Sequence, residues 1–335
     1  MKLTTFLFFL LLLGCEIALS KEEIWNYSNG NYQGHKFSSL NKINTTNVGR
    51  LNKAWSYKNG FIPSVKNNSQ IIPIFTGTSI ITSSVDGYLI SINPSNGNEM
   101  WRIKLKKPVA KRGLVFLKEK KIILVTTGKG VIAVDEASGK INTRFGKKGS
   151  YGNDLSLVSP IASDQKVFVA FRTKIESFFL NNGKKNWTFD LNGARVWSGF
   201  SFDKETKTIA VVTSNLINLW GKTNISPDYS NSLILINSKT GKLNCVFKDV
   251  KHDHWDLDMV GSPIFTNIIF NNKTIRAVYA FSKTGNIFAI DVNKCKFIFN
   301  KETNFEIINT EVPNNTQTYA DHQIKILKPE PLLDQ

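Results

Sequence analysis

DGYLISINPSNGNEMWRIKL (86–105) reads as a strand of alternating apolar residues, a polar turn ending in glycine, and a second strand. The chain writes this pattern five times. The other copies are KGVIAVDEASGKINTRFGKK (129–148), RTKIESFFLNNGKKNWTFDL (172–191), SNSLILINSKTGKLNCVFKD (230–249) and TGNIFAIDVNKCKFIFNKET (284–303). Gly97, Gly139, Gly183 and Gly241 close the turns at separations of 42, 44 and 58 residues, and the fifth turn, near Lys294, is degenerate. A unit this short cannot bury its own apolar face. It must stack on its neighbours, and radial stacking of four-stranded units makes an all-β propeller.

Two further strands are expected before each copy. The pairs are QIIPIFTG with SIITSS, GLVFL with KIILVTT, VSPIAS with KVFVAF, WSGFSF with TIAVVTS, and GSPIFTN with IRAVYAFS. No stretch carries the period of an amphipathic helix of three turns. An initial unit is expected in residues 21–60, with a short strand, LNKAWSYKNG, around Trp55. The count is five to six blades, and the irregular tail 304–335 adds no closing repeat. The ring is therefore expected to be open, with an uncovered apolar edge or a second chain supplying further blades.

Lys2 followed by the apolar run Phe6–Leu13 reads as a secretory signal over residues 1–20, too short for a comfortable membrane span. Leu12-Leu13-Gly14-Cys15 resembles a bacterial lipobox, which would leave a lipid anchor on Cys15. Ala18-Leu19-Ser20 would instead allow ordinary cleavage before Lys21. An uncleaved anchor is the third reading, and all three leave the body, 21–303, outside the cytoplasm, expected in the periplasm. Beyond the signal only Cys245 and Cys295 remain. They lie in the outer parts of successive units, where a bond is open to them, but two buried thiols are the favoured reading. The net charge of +17 comes from lysines scattered through turns. Without a basic helix or an aromatic–basic motif it does not argue for nucleic acid.

Ligands of propellers sit on the axis, where successive blades bring together the residues at strand starts and between repeats. Arg112, before Gly113, can pin a carboxylate with its guanidinium fork, or be a surface cation beside a turn glycine. Trp197 can stack on a planar ring or plug the core. Asn215 can ligate a hard cation or simply end a turn. KHDHWDLD (251–258) is the densest polar cluster. Asp256 in it suits a general base, while zinc on His252 and His254 lacks the usual spacing and third ligand. Lys283, entering a turn, can stabilise charge developing on an oxygen or face solvent.

These residues and their surroundings resemble the PQQ-dependent (quinoprotein) alcohol and glucose dehydrogenases, which carry pyrroloquinoline quinone on an eight-bladed propeller. The resemblance runs from GHKFSSLNKINTTNVGRLNKAWSY through RGLVF, ARVWSGFSFD, NSLILINSKTGKLNCVFKDVKHDHWDLDMVGSPI and AFSKTGNIFAID to VPNNTQTYADHQI and KPEPL. It implies that Arg112 holds a PQQ carboxylate and Trp197 stacks under the quinone. It further implies that Asn215 and Asp256 ligate Ca²⁺ (or Mg²⁺), Asp256 acts as catalytic base, Lys283 touches the quinone oxygens, and Gln70 lies near the cofactor. The implied reaction oxidises an alcohol or sugar and passes electrons to an external acceptor, cytochrome c or ubiquinone, since no CxxCH haem motif is present. The chain departs from the family in four ways. PVAKRG lacks the adjacent-cysteine disulfide, and VFVAFRTKIESF lacks the glycine-rich loop with a cation-ligating Glu, a role not transferred to Glu176. Val158 replaces a cofactor-contacting Thr, and the family pattern continues past residue 335. A non-catalytic periplasmic scaffold or lipoprotein propeller, or a truncated dehydrogenase, is the alternative.

Overall fold

The computed structural model describes residues 24–59, 70–84, 86–214, 229–250, 253 and 256–301. The expected signal and lipobox (with Cys15), Asn215, His252, His254, Trp255 and the tail 304–335 lie outside them.

Twenty strands form five four-stranded antiparallel sheets, each a simple meander. The first holds β1 (Ile74–Phe75), β2 (Ile80–Ser83), β3 (Tyr88–Ile92) and β4 (Glu99–Lys104). The second holds β5 (Val109–Leu117), β6 (Ile122–Thr127), β7 (Gly130–Asp135) and β8 (Ser150–Tyr151). The third holds β9 (Ile161–Ser163), β10 (Lys166–Ala170), β11 (Lys174–Phe179) and β12 (Lys185–Asp190). The fourth holds β13 (Phe200–Asp203), β14 (Thr208–Val212), β15 (Ser232–Asn237) and β16 (Leu243–Lys248). The fifth holds β17 (Met259–Phe270), β18 (Lys273–Ser282), β19 (Ile287–Asp291) and β20 (Lys296–Lys301).

Alternation along the strands makes both faces of each middle sheet apolar, and adjacent sheets pack through those faces. Ile74, Ile81 and Leu89 of the first sheet meet Leu114 and Ile123 of the second. Val115, Val167, Phe200 and Ile209 join the second, third and fourth. Val212 and Leu233 meet Phe265 and Val278 of the fifth. The result is an unclosed propeller; on the fifth sheet Ile269 and Phe299 are exposed, while Phe297 packs edge-on against Phe247 of the fourth sheet.

A recurring clamp joins the sheets at their outer edges. Each turn after the third strand of a sheet places a glycine at positive φ, where the neighbouring unit's tryptophan lies flat against it. A Cβ on Gly97 would stand 2.6 Å from Trp55, one on Gly139 2.7 Å from Trp101, and one on Gly241 2.6 Å from Trp187. The indole Nε1 donates to the carbonyl three residues before the glycine: Trp55 to Pro94 at 2.9 Å, Trp101 to Glu136 at 2.9 Å and Trp187 to Ser238 at 3.0 Å. Trp55 therefore does the job expected of an initial unit, but the segment around it is no strand.

Two interfaces vary the clamp. At Gly183 the partner is the backbone of Gly146 and Lys147. Leu180, three residues earlier, accepts from Gly146 N at 3.0 Å and from the Tyr151 hydroxyl. Residues 140–148, expected as a strand, are spent on this excursion, and β8 is only two residues long. Between the fourth and fifth sheets the clamp is covalent. Cys245 stands in β16 opposite Leu235, as Trp101 stands opposite Ser91 and Trp187 opposite Ser177. Cys295 takes the glycine's place at φ 52°. The two are disulfide-bonded with Cα atoms 6.0 Å apart, which corrects the reading of two buried thiols. The same strand and turn positions meet where Trp101 faces Gly139 and Trp187 faces Gly241, so cysteines in both slots meet.

The segment 25–35 runs along the axis and bonds to all five sheets. Trp25 O accepts from Phe75 N, Asn26 O from Phe116 N, Tyr32 O from Phe202 N and Gln33 O from Phe265 N, at 2.7–3.0 Å. Ser28 Oγ lies 3.2 Å from the hydroxyl of Ser159 at the third sheet's inner edge. His35 Nε2 donates to Phe265 O at 2.7 Å, while its Nδ1 faces Asn31 Nδ2 at 3.0 Å.

Candidate cofactor site at the propeller axis

The inner strands β5 and β17 break register where they approach the axis. The ladder shifts between Val109 and Leu114 in β5, and between Val260 and Ile264 in β17. Such bulges re-aim side chains. Gly113 permits the first, because a Cβ there would lie 2.9 Å from Thr126 O. The bulge carries Arg112, whose backbone bridges Val158 and whose carbonyl accepts from Ser159 Oγ.

From Arg112 a continuous path of contacts crosses the axis. Arg112 Nη2 donates to Gln70 Oε1 at 3.1 Å, and Nη1 donates to the Trp197 carbonyl at 3.2 Å. The Trp197 ring centroid lies 5.6 Å from Lys283 Nζ. That ammonium bonds Asp256 Oδ2 at 2.8 Å and Asp258 Oδ2 at 3.0 Å. Five of the six residues singled out from sequence, Gln70, Arg112, Trp197, Asp256 and Lys283, thus share one end of the axis. The sixth, Asn215, is outside the described residues.

The electrostatics divide the site in two. Burial holds the Arg112 guanidinium below its usual pKa, and its partners are neutral oxygens. Burial would also lower Lys283, but hydrogen bonds to Asp256 and Asp258 outweigh it and raise its pKa. The two aspartates differ: the Asp258 side chain is 7% exposed and the Asp256 side chain 55%. Asp256 is held at φ 62°, a left-handed conformation that Asp tolerates better than most residues. Its loop is pinned from below by Asn231, which donates to Asp253 Oδ2 at 2.7 Å and to Leu257 O at 3.1 Å. Trp197 Nε1 is buried without a hydrogen-bond partner.

Asp258 was not singled out from sequence. Its spacing of two from Asp256 was visible, but its burial against Lys283 was not. Glu176, to which no role was transferred, lies in β11 and accepts from Lys185 at 3.3 Å and Thr188 at 3.1 Å, away from the Arg112–Asp256 path. Among the described residues no group of three or more His, Cys, Asp or Glu is placed to hold a metal ion.

Residues 25–166 and 170–325 match the family described as PQQ: Glucose/ethanol/alcohol dehydrogenase, beta-propeller domain. The chain is 25% identical over 341 residues to the quinoprotein glucose dehydrogenase of Escherichia coli (strain K12), covering 81% of this chain and 42% of that protein. It is 27% identical over 348 residues to quinoprotein glucose dehydrogenase A of Acinetobacter calcoaceticus, covering 81% and 43%. The crystal structure of quinohemoprotein alcohol dehydrogenase from Comamonas testosteroni superposes with a TM-score of 0.70 at 22% identity, covering 84% of this chain and 49% of that one. The chain spans under half the length of these relatives. With the family match over most of its length, and five sheets of the same fold, this chain belongs to the PQQ-dependent glucose, ethanol and alcohol dehydrogenase β-propeller family.

Proposed function

We propose that this chain forms the cofactor-binding part of a PQQ-dependent dehydrogenase that oxidises the CH–OH group of an alcohol or sugar. The observation that carries the reading is the unbroken path Gln70–Arg112–Trp197–Lys283–Asp256 at one end of the axis.

The residues fit PQQ, a flat tricarboxylate with two adjacent quinone oxygens. Arg112 has no carboxylate partner among the described residues, Trp197 offers an indole with an unpaired buried N–H, and Lys283 stands beside that ring. Arg112 would hold a carboxylate, Trp197 would cover one face, and Lys283 would donate to the quinone oxygens. Bound there, PQQ would supply the two-electron acceptor. Asp256, the more exposed aspartate, would take the substrate hydroxyl proton, and the Lys283 ion pair fixes its Oδ2 for that task. Asp258, buried on the same ammonium, would keep Lys283 in place when Asp256 is protonated. A Ca²⁺ or Mg²⁺ ion would find its carboxylate in Asp256 and a second ligand in Asn215. With Asp256 engaged by Lys283, the described donors alone do not make a cation cage, and the base role of Asp256 stands without one. Electrons would leave to cytochrome c or ubiquinone. The Cys245–Cys295 bond supports an oxidising, exported setting such as the periplasm.

The test is PQQ titration by tryptophan quenching, with dye-linked oxidation of alcohols and sugars in Ca²⁺. Asp256→Asn should keep PQQ affinity and lose turnover, because an amide cannot act as the base. Trp197→Ala should weaken PQQ about tenfold or more through the lost stacking surface. Equal turnover in Asp256→Asn and wild type would reject the base. Failure of the wild-type chain to bind PQQ would leave the non-catalytic scaffold reading in its place.

A further inference from the structure

Three guanidiniums stand at the site's end of sheets two to four without a carboxylate partner among the described residues: Arg112, Arg172 and Arg195. Backbone contacts tie them into one ridge. Arg112 bridges Val158, Ser156 bridges Phe171, and Val196 N donates to Arg172 O at 3.0 Å. Arg195 in turn bridges Ser214, whose N–H donates to Arg195 O at 2.8 Å. Arg172 and Arg195 therefore lie side by side, Arg195 two residues before Trp197 in the chain.

Arg195 is the unusual member. Its Nε and Nη1 are buried and have no hydrogen-bond partner among the described residues. Burial and the neighbouring Arg172 charge both push it below its ordinary pKa. Buried unpaired donors and two like charges side by side are both unfavourable. The acidic groups nearby are already engaged: Asp154 pairs with Lys174, Asp256 and Asp258 with Lys283, and Asp249 with Thr284 and Asn286. The ridge thus asks for an anion that these acids do not provide. The planar guanidinium fork matches a carboxylate.

We propose that Arg195, supported by Arg172, forms a carboxylate-binding subsite beside Trp197, so that a flat polycarboxylate lying on the indole is gripped by Arg112 at one rim and Arg195 at the other. The subsite extends the site read above as a cofactor site, and rests on that reading only for the ligand that fills it. The carboxylate comes from the cofactor or from an acidic substrate.

The test uses the full chain, citrate as a plain tricarboxylate probe, and PQQ. Acetate at matched ionic strength serves as the control. Thermal shift and tryptophan fluorescence report binding, and circular dichroism reports folding. Citrate should stabilise wild type more than acetate does, and Arg195→Met should weaken citrate about tenfold or more. Arg195→Met should also melt no lower than wild type in acetate, because an unpaired buried charge has been removed. If PQQ weakens together with citrate, the cofactor supplies the carboxylate. If PQQ binding is unchanged while citrate weakens, the substrate does. A wild-type chain that binds citrate through Arg195 but not PQQ would keep this subsite while removing the cofactor reading. Citrate binding equal in wild type and Arg195→Met overturns the proposal. Should Arg195→Met not fold, Arg172→Met, on a hairpin between β10 and β11, carries the same comparison: weaker citrate supports the subsite and unchanged citrate overturns it.

Discussion

Two glycines with the same backbone angle make a controlled test of the clamp. Gly241 and Gly261 both have φ +72°, but a Cβ on Gly241 would lie 2.6 Å from Trp187, whereas one on Gly261 would meet nothing within 4 Å. Alanine at either position adopts a left-handed conformation at a cost of about 1–2 kcal/mol. The stiffer unfolded chain returns about 0.4–1 kcal/mol of that. Gly261→Ala should therefore cost about 1 kcal/mol. At Gly241 the new methyl sits about 1 Å inside contact distance, so the indole must move. Moving it breaks the Nε1 bond to Ser238 O, about 1 kcal/mol, and disturbs the stack on Phe168, whose centroid lies 5.9 Å away, about another 1 kcal/mol. Gly241→Ala should thus lose about 3–4 kcal/mol. In a Trp187→Ala background the same change should cost only about 1 kcal/mol, since nothing is left to strike. Urea denaturation of the wild type, the three single variants and the double variant measures these differences. Equal losses at Gly241 and Gly261, or a cost at Gly241 that persists without Trp187, would refute the clamp as described.

Reduction, or Cys245→Ser with Cys295→Ser, opens a link between residues 50 apart and should lower unfolding stability by about 2–4 kcal/mol, read by denaturation with and without dithiothreitol. An unchanged midpoint would mean that the apolar contact between the fourth and fifth sheets suffices alone. Asp203→Ala should cost about 3–5 kcal/mol, because it removes a carboxylate that is 1% exposed and leaves Arg276, 11% exposed, with the more distant Glu205 at 3.7 Å. Burial raises the Asp203 pKa, but bonds to Arg276 and Thr206 outweigh it and hold the group below 3.8. Its contribution is therefore present above about pH 3.8 and lost as pH falls through the lower folded value. Wild type should show this acid loss in a pH series of melting temperatures, and Asp203→Asn should lack it.

The repeat, and with it the five sheets, was legible because alternation and turn glycines recur at local spacing. The convergence of Arg112, Trp197, Asp256 and Lys283 was legible because radial stacking brings equivalent strand starts together. What stayed hidden depended on comparing copies position by position. Cys245 aligns with Trp101 and Trp187, and Cys295 with Gly97 and Gly241, so the disulfide was readable as a replaced clamp. Two cysteines 50 residues apart, taken by themselves, carry no such signal. Residues 140–148 carry a strand-like pattern, yet Gly146, Lys148 and Gly149 all adopt positive φ and fold the segment back on Gly183. Trp55 sits in a strand-like sequence, but its ring, not its backbone, does the structural task. Asp258 and Arg195 show themselves only through burial, which no spacing reveals.

The axial segment 25–35 also constrains the order in which the chain assembles. Its bonds reach from Phe75 to Phe265, the last across 230 residues of sequence. Contacts so distant must wait until the intervening chain has been made and folded, and closing such loops is entropically slow. Residues among the earliest to emerge during synthesis are thus among the last to reach their native partners. Until sheet five is in place, Asn29, Gln33 and His35 lack their partners, and an assembling molecule remains unfinished at its centre rather than at its rim.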